Sequence, residues 1–251
     1  MSVVPARRSR RLSHRPSGFT LIELMVAIAV ALFLVGGLLV ILQNVGRTRN
    51  NQALLAQLQD NQRTAMTLIT DIVQAAGYFP DPTRNTLTGS LPQITVSGAT
   101  VAAGQSLYGT HVDTDPGDTL TARFTTASGD TIINCIGGTN ASGAAASYVN
   151  TFSVTGGRLA CSLNGAAASP LVDGIKRMDV RYGVKRDAAV DDNNVDTYLS
   201  AAQMAAADWG NVSSVKVRLT FNNPLAGQAG QPATIQFTRT IAVMARTGVK
   251  L

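Results

Sequence analysis

From Gly18 to Leu42 the chain reads GFTLIELMVAIAVALFLVGGLLVIL, apolar almost without a break and carrying a single charge, Glu23. A run of this length crosses a bilayer as one helix. A carboxylate inside such a run is costly and is retained where it has a partner or a task. Glu23 is therefore the first candidate functional residue.

Ahead of the run, residues 1–18 hold Arg7, Arg8, Arg10, Arg11 and Arg15 and no acid. The segment is too short and too basic to fold, and reads as an address. Its arginines keep it on the cytoplasmic side, which sends the chain beyond the span across the membrane. Three ordinary readings compete here. A secretory signal closes its apolar core with a small-x-small cut site, whereas this core runs on through Gln43, Asn44 and Val45. A twin-arginine signal is hinted at by Ser9-Arg10-Arg11-Leu12, but an acid stands at the head of the apolar core. A plain uncleaved anchor accounts for the length. None of the three explains Gly18 and Glu23 together.

Gly18-Phe19-Thr20-Leu21-Ile22-Glu23 resembles the type III signal of the type IV pilin superfamily. The resemblance combines a basic leader, a Gly before the cut, a Phe after it, a Glu at the fifth place of the processed chain, and an apolar stem. It implies that a prepilin peptidase cuts between Gly18 and Phe19 and methylates the new N-terminus. It also implies that Glu23 pairs with the N-terminal amine of a neighbouring subunit as stems pack into a filament. The chemistry is consistent: cleavage creates a positive amine four residues from Glu23, and a helix N-terminus favours a carboxylate.

The stem is expected to outlast the membrane. Leu54, Leu55, Leu58, Ala65, Leu68, Ile69, Ile72, Val73 and Ala76 recur at helical spacing, with Gln57, Asp60, Arg63 and Asp71 between them. This amphipathic half needs a surface to cover its apolar stripe, as an ordinary core helix does. Gly77 suits the stop, with Pro80 and Pro82 beyond it. Phe19 to Ala76 makes a rod of roughly 85 to 90 Å, and Gly36-Gly37 is a place for it to bend or locally melt.

Five of the 21 basic residues lie in the leader, leaving 16 against 15 acids, so the processed chain is close to neutral. No basic stretch interleaved with aromatics occurs in sequence, and direct nucleic-acid binding is not expected. Beyond Tyr78 the composition turns to Gly, Ser, Thr, Asn and Ala with short alternating apolar runs, a β-rich pattern. Val215, Val217, Leu219 and Phe221 form one run, Ile235, Phe237, Ile241 and Val243 a second, and Met178, Val180, Tyr182 and Val184 a third. Leu120 to Phe124 with Thr131 to Cys135 predicts a hairpin. Ser200 to Ala207 predicts a short helix capped by Ser200, and residues 137–146 a surface loop. The expected class is α+β and pilin-like, a long N-terminal α-helix packed on an antiparallel β-rich head. Its segments are a cleaved leader (1–18), a transmembrane half-stem (19–42), an amphipathic half-stem (43–77) and a head on the far side of the membrane (78–251).

Cys135 and Cys161 are the only cysteines. In an exported domain they read as one disulfide, whose loop of about 26 residues contributes roughly 3 kcal/mol. Two free buried thiols are the alternative. No CxxC occurs and His111 is the sole histidine left after processing, so zinc lacks ligands and no cofactor is expected. The acidic loop Asp187, Asp191, Asp192, Asn193, Asn194, Asp196 offers alternating oxygens for calcium, with Asp191, Asn193 and Asp196 as weak candidate ligands. It lacks the glycine and late Glu of an EF-hand, and a solvated turn is the simpler reading. His111 near Asp113 and Asp115 is the only hint of catalysis, and Asp115-Pro116-Gly117 beside it is turn chemistry. No enzyme is expected.

Further stretches are similar to PilW-type minor pilins. They are Leu58-Gln59-Asp60-Asn61 leading to Ala75-Ala76-Gly77-Tyr78-Phe79, Gly117-Asp118-Thr119-Leu120-Thr121, Leu171-Val172-Asp173-Gly174-Ile175 with Val180-Arg181-Tyr182-Gly183, and Thr238-Arg239-Thr240-Ile241-Ala242-Val243. This likeness implies a low-abundance type IV pilus assembly subunit that primes polymerisation and supports motility, adhesion and DNA uptake indirectly. It implies as partners a prepilin peptidase, other minor and major pilins, an inner-membrane assembly platform and membrane lipid. The implied location is the bacterial inner membrane, single-pass, with a periplasmic head that reaches the cell surface after assembly. Two alternatives share much of the sequence logic: a minor pseudopilin of a type II secretion system, and a membrane-anchored adhesin or binding module.

Overall fold

The computed structural model describes residues 18–96, 98–186 and 194–246. The chain divides after Asn51 into two compact units. The first holds the leading part of helix α1 (Leu21–Ala75). Its side chains from Leu21 to Leu42 are exposed on every side. A helix apolar around its whole circumference requires an apolar surrounding, either lipid or other helices. The helix is unbroken at Gly36 and Gly37.

From Gln52 onward α1 belongs to the second unit. Leu58, Ala65, Met66, Ile69, Ile72 and Val73 are buried there, whereas Gln57, Asp60, Arg63 and Asp71 are exposed. The apolar stripe thus ends up inside, with Met66 added to it and Leu54, Leu55 and Leu68 at its half-buried margin. Gly77 stops the helix with φ +81°, the left-handed value typical just past a helix end. Its N–H donates to the Arg123 carbonyl at 2.9 Å.

The head continues with α2 (Leu87–Ser90), β1 (Ile94–Val96), β2 (Ala99–Val101), β3 (Leu107–Thr110), β4 (Thr119–Thr126), β5 (Ala146–Thr155) and β6 (Arg158–Leu163). β7 (Ser169–Asp173), β8 (Ile175–Val184), β9 (Thr197–Leu199), β10 (Val212–Asn222) and β11 (Thr234–Ala242) complete it. They form a five-stranded sheet β3-β4-β5-β6-β7, a four-stranded sheet β11-β10-β8-β9 and a β1-β2 ribbon. All the strand pairs are antiparallel.

The three alternating runs read from sequence pair with one another. Leu219 stands opposite Phe237 and Met178, Val217 opposite Val180, and Val215 opposite Ile241 and Tyr182. These rows join the stem residues in one core with Leu120, Phe124, Phe152, Leu159 and Cys161 of the other sheet. Each fully buried aliphatic or aromatic side chain contributes about 1.5–3 kcal/mol relative to an exposed one.

β4 is buried on both faces. Its second face carries Thr121, Arg123 and Thr125, covered by residues 90–96 and 98–106. Arg123, 2% exposed as a residue, donates through its guanidinium to the carbonyls of Gln105 at 3.2 Å and of Pro92. Burial without a carboxylate partner lowers its pKa. It fastens this covering segment to the sheet.

Two local expectations are corrected. Leu120 to Phe124 forms no hairpin with Thr131 to Cys135: β4 pairs with β3 and β5, and 131–135 is not a strand. Polar side chains divert the intervening chain into a loop. Asp130 accepts from Ala127 N at 2.8 Å, Asn134 from Ile136 N and Gly138 N at 3.1 and 3.0 Å, and Asn140 donates to Thr126 O at 3.0 Å. The Ser200 to Ala207 helix is replaced by short 3-10 turns, Ala201–Gln203 and Asp208–Asn211. Gln203 accepts from Ser200 N at 2.9 Å and Asp208 from Ala205 N at 2.8 Å, which closes each turn early.

Cys135 and Cys161 form a disulfide with Cα atoms 6.2 Å apart. It ties the long loop before β5 to β6. Among the described residues no cysteine is free.

Candidate functional site

Gly18, Phe19 and Thr20 precede α1 in a non-helical conformation. Phe19 is 84% exposed, and a Cβ at Gly18 would meet nothing within 4 Å. The Gly18–Phe19 peptide bond is thus outside the helix, and no described residue crowds Gly18. Thr20 starts the helix: its carbonyl accepts from Glu23 N and Leu24 N, both at 3.1 Å, and its hydroxyl lies 3.4 Å from Glu23 N. Thr20-Leu21-Ile22-Glu23 is the Ser/Thr-x-x-Glu pattern of a capping box, a signal present in the sequence and not read from it. Glu23 is in the first turn, where unpaired backbone N–H groups and the helix dipole favour negative charge. Among the described residues α1 is the one helix long and apolar enough to cross a membrane.

The remaining sequence candidates sit elsewhere in the head. His111 is a brace: its Nδ1 is 2.7 Å from Asp118 Oδ1 and its Nε2 3.0 Å from Asp113 Oδ1. Asp118, 2% exposed, also accepts from Val112 N at 3.0 Å and Val180 N at 2.7 Å. Arg177 donates to the carbonyls of Asp113 and Val112 at 2.8 and 3.0 Å. The loop between β3 and β4 is therefore pinned onto β8, and Asp115 pairs with Lys176 at 3.2 Å. Of the calcium candidates, Asp191 and Asn193 lie outside the described residues, as do the other loop acids Asp187 and Asp192. Asp196 accepts from Arg186 N at 2.9 Å. Among the described residues no group of three or more His, Cys, Asp or Glu side chains is placed to hold a metal. Residues 1–17 of the basic leader lie outside the described residues.

Two family models match the chain. Residues 13–39 match the prokaryotic N-terminal methylation motif, and residues 138–246 match Type IV Pilus-assembly protein W. The chain is a PilW-type member of the type IV pilin superfamily. Two solved structures resemble it. One is a pseudopilin from a binary complex of two type 2 secretion system pseudopilins of Vibrio vulnificus, 11% identical, covering 78% of this chain and 94% of that one, TM-score 0.44. The other is a type IV-like pilin of Thermus thermophilus, 14% identical, covering 75% and 96%, TM-score 0.43. No curated protein matches the chain.

In this PilW-type head the stretches that carried the resemblance sit at junctions. Gly174, with φ +84°, is where the chain passes from β7 in one sheet to β8 in the other. It donates to Gly157 O at 3.0 Å and accepts from Asn222 N at 2.9 Å. Gly117-Asp118 forms the second link between the sheets: Asp118 N donates to Met178 O at 2.8 Å, and Met178 N to Pro116 O at 3.1 Å. Gly183 faces Ser214, Tyr198 and Val195, where an added Cβ would collide. Gly77-Tyr78 lies along β4, with Thr125 N donating to Tyr78 O at 2.9 Å. The matched region 138–246 runs from the loop before β5 through β11, so the 75–79 and 117–121 junctions lie outside it. The apolar N-terminal helix and the methylation motif fit a membrane-anchored pilin.

Proposed function

We propose that this chain is a minor pilin of a type IV pilus, cut by prepilin peptidase between Gly18 and Phe19, methylated at Phe19, and built into the complex that primes pilus assembly. The observation that carries the reading is the juxtaposition of two features in one helix. Its leading part is apolar on all sides and begins with Gly18-Phe19 and Glu23, and its trailing part is sealed into a head that matches the PilW family.

Before assembly, residues 19–42 span the inner membrane with the head in the periplasm. The Cys135–Cys161 disulfide supports an oxidising compartment. An isolated carboxylate at mid-bilayer costs on the order of 3 kcal/mol by insertion scales and less near a helix end. Cleavage at Phe19 supplies a cation, and pairing Glu23 with the amine of a neighbouring subunit offsets that cost only in the assembled state. The pair thereby fixes register between stems. Partners on this account are the peptidase, other minor and major pilins, the assembly platform and lipid. The role is structural, not enzymatic, and motility, adhesion and DNA uptake depend on it through the pilus.

A deletion strain tests the role. It loses surface pili and twitching while type II secretion continues. A strain that keeps its pili and stops secreting enzymes assigns the chain to the secretion pseudopilus instead.

A further inference from the structure

The solvent face of the four-stranded sheet gathers cations that are far apart in sequence. Lys216 on β10 stands directly opposite Arg181 on β8, and the next outward residue, Arg218, stands opposite Asp179. Thr238 of β11 lies opposite Arg218 on its other side. Like charges directly opposite each other on a sheet are destabilising, yet this face retains such a pair with a third cation beside it. The single acid in the group has one oxygen engaged: Arg177 Nε binds Asp179 Oδ1 at 2.7 Å.

None of the three cations has a carboxylate partner among the described residues. Among the described residues Arg181 hydrogen-bonds only to the neutral amide oxygen of Gln203, at 3.4 Å. Lys216 Nζ lies 4.1 Å over the Tyr198 ring, which holds the ammonium near the sheet. Arg218 is exposed and makes no hydrogen bond or ion pair to a described residue. Asp179, Arg181, Lys216, Arg218 and Thr238 line a notch of about 70 Å³, which suits a small anionic group.

We propose that this notch binds a single phosphate-type oxyanion. The guanidinium groups of Arg181 and Arg218 donate to its oxygens in forked geometry, Lys216 contributes a point charge, and the Thr238 hydroxyl supplies a neutral contact. The bound anion relieves the repulsion between Lys216 and Arg181. The site is on the head and does not depend on processing or on Glu23, so it stands or falls separately from the role proposed above.

The full-length protein in neutral detergent micelles is titrated calorimetrically with inorganic phosphate against a chloride background of equal ionic strength. Saturable binding is expected, weakened about tenfold or more in K216Q/R218Q, since charge-assisted bonds are the strong ones. R158Q, which removes a cation from the other sheet, leaves it unchanged. Glycerol 3-phosphate and dimethyl phosphate, titrated in parallel, separate a terminal monoester from a backbone-type diester as the natural source. Absence of saturable binding to all three, or binding by K216Q/R218Q as tight as by the parent, overturns the proposal. Melting curves of both variants show that each is folded before its titration is read.

Discussion

The Tyr182 hydroxyl occupies the space that a side chain at Gly109 would need. Tyr182 is completely buried on β8, with its ring 4.8 Å from that of Trp209 and its hydroxyl 3.5 Å from Tyr108 O. Gly109 is on β3, in the other sheet, so this contact sets how closely the two sheets approach. An added Cβ would also strike the Thr119 carbonyl oxygen.

Gly109→Ala is therefore expected to destabilise the head by about 2–3 kcal/mol, the cost of overpacking a filled core. Denaturant unfolding measures it. Combining it with Tyr182→Phe recovers part of the loss by removing the oxygen that the new methyl strikes. A Gly109→Ala protein as stable as the parent contradicts the packing described.

Asp208 gives a pH signature. Its hydrogen bond from Arg186, 2.6 Å at Nη2, holds its carboxyl below the ordinary value of 3.8, helped by the Ala205 N–H. A depressed carboxyl contributes stability above its unfolded pKa and loses it as pH falls through the folded one. The gap in melting temperature between the parent and Asp208→Asn is thus expected to be full at pH 7 and to shrink as pH drops below about 3.8. A gap that stays constant from pH 7 to pH 2 contradicts this tie.

The trailing stem and the strands β8, β10 and β11 were legible because each carries its apolar residues along one face. Leu58 to Ala76 repeats at helical spacing, and Val215, Val217, Leu219 and Phe221 alternate with residues of the other face. β4 hid its pairing because its second face is buried by chain lying 18 to 35 residues earlier, and alternation carries no information about such a cover. The loop at 127–145 takes its shape from Asp130, Asn134 and Asn140 bonding to backbone, which periodicity does not register. At the N-terminus the roles of Gly18, Phe19 and Glu23 rest on local sequence, and Thr20 as the helix cap was there to be read in the Thr-x-x-Glu spacing. The cationic notch was not readable. Arg181 and Lys216 become neighbours only through the β8–β10 register.

Glu23→Ala separates insertion from assembly. Removing the acid makes residues 19–42 more apolar, so membrane insertion is expected to be undiminished. Incorporation into pili falls by about tenfold or more, because losing one partner of a buried charge pair leaves the other uncompensated, at roughly 3 kcal/mol or above. Fractionation and immunoblotting of sheared pili measure both quantities. Normal incorporation of Glu23→Ala contradicts the charge pairing.

On the proposed function, cleavage turns a lipid-embedded acid at the head of an apolar helix into half of an intersubunit ion pair. N-terminal mass spectrometry of the protein purified from its own membranes tests this most directly. The account predicts a chain beginning at Phe19 with a methylated amine, and accumulation of the uncut form when Gly18 is replaced by a bulky residue. A mature protein that begins at Met1, or normal maturation of the Gly18 variant, contradicts it.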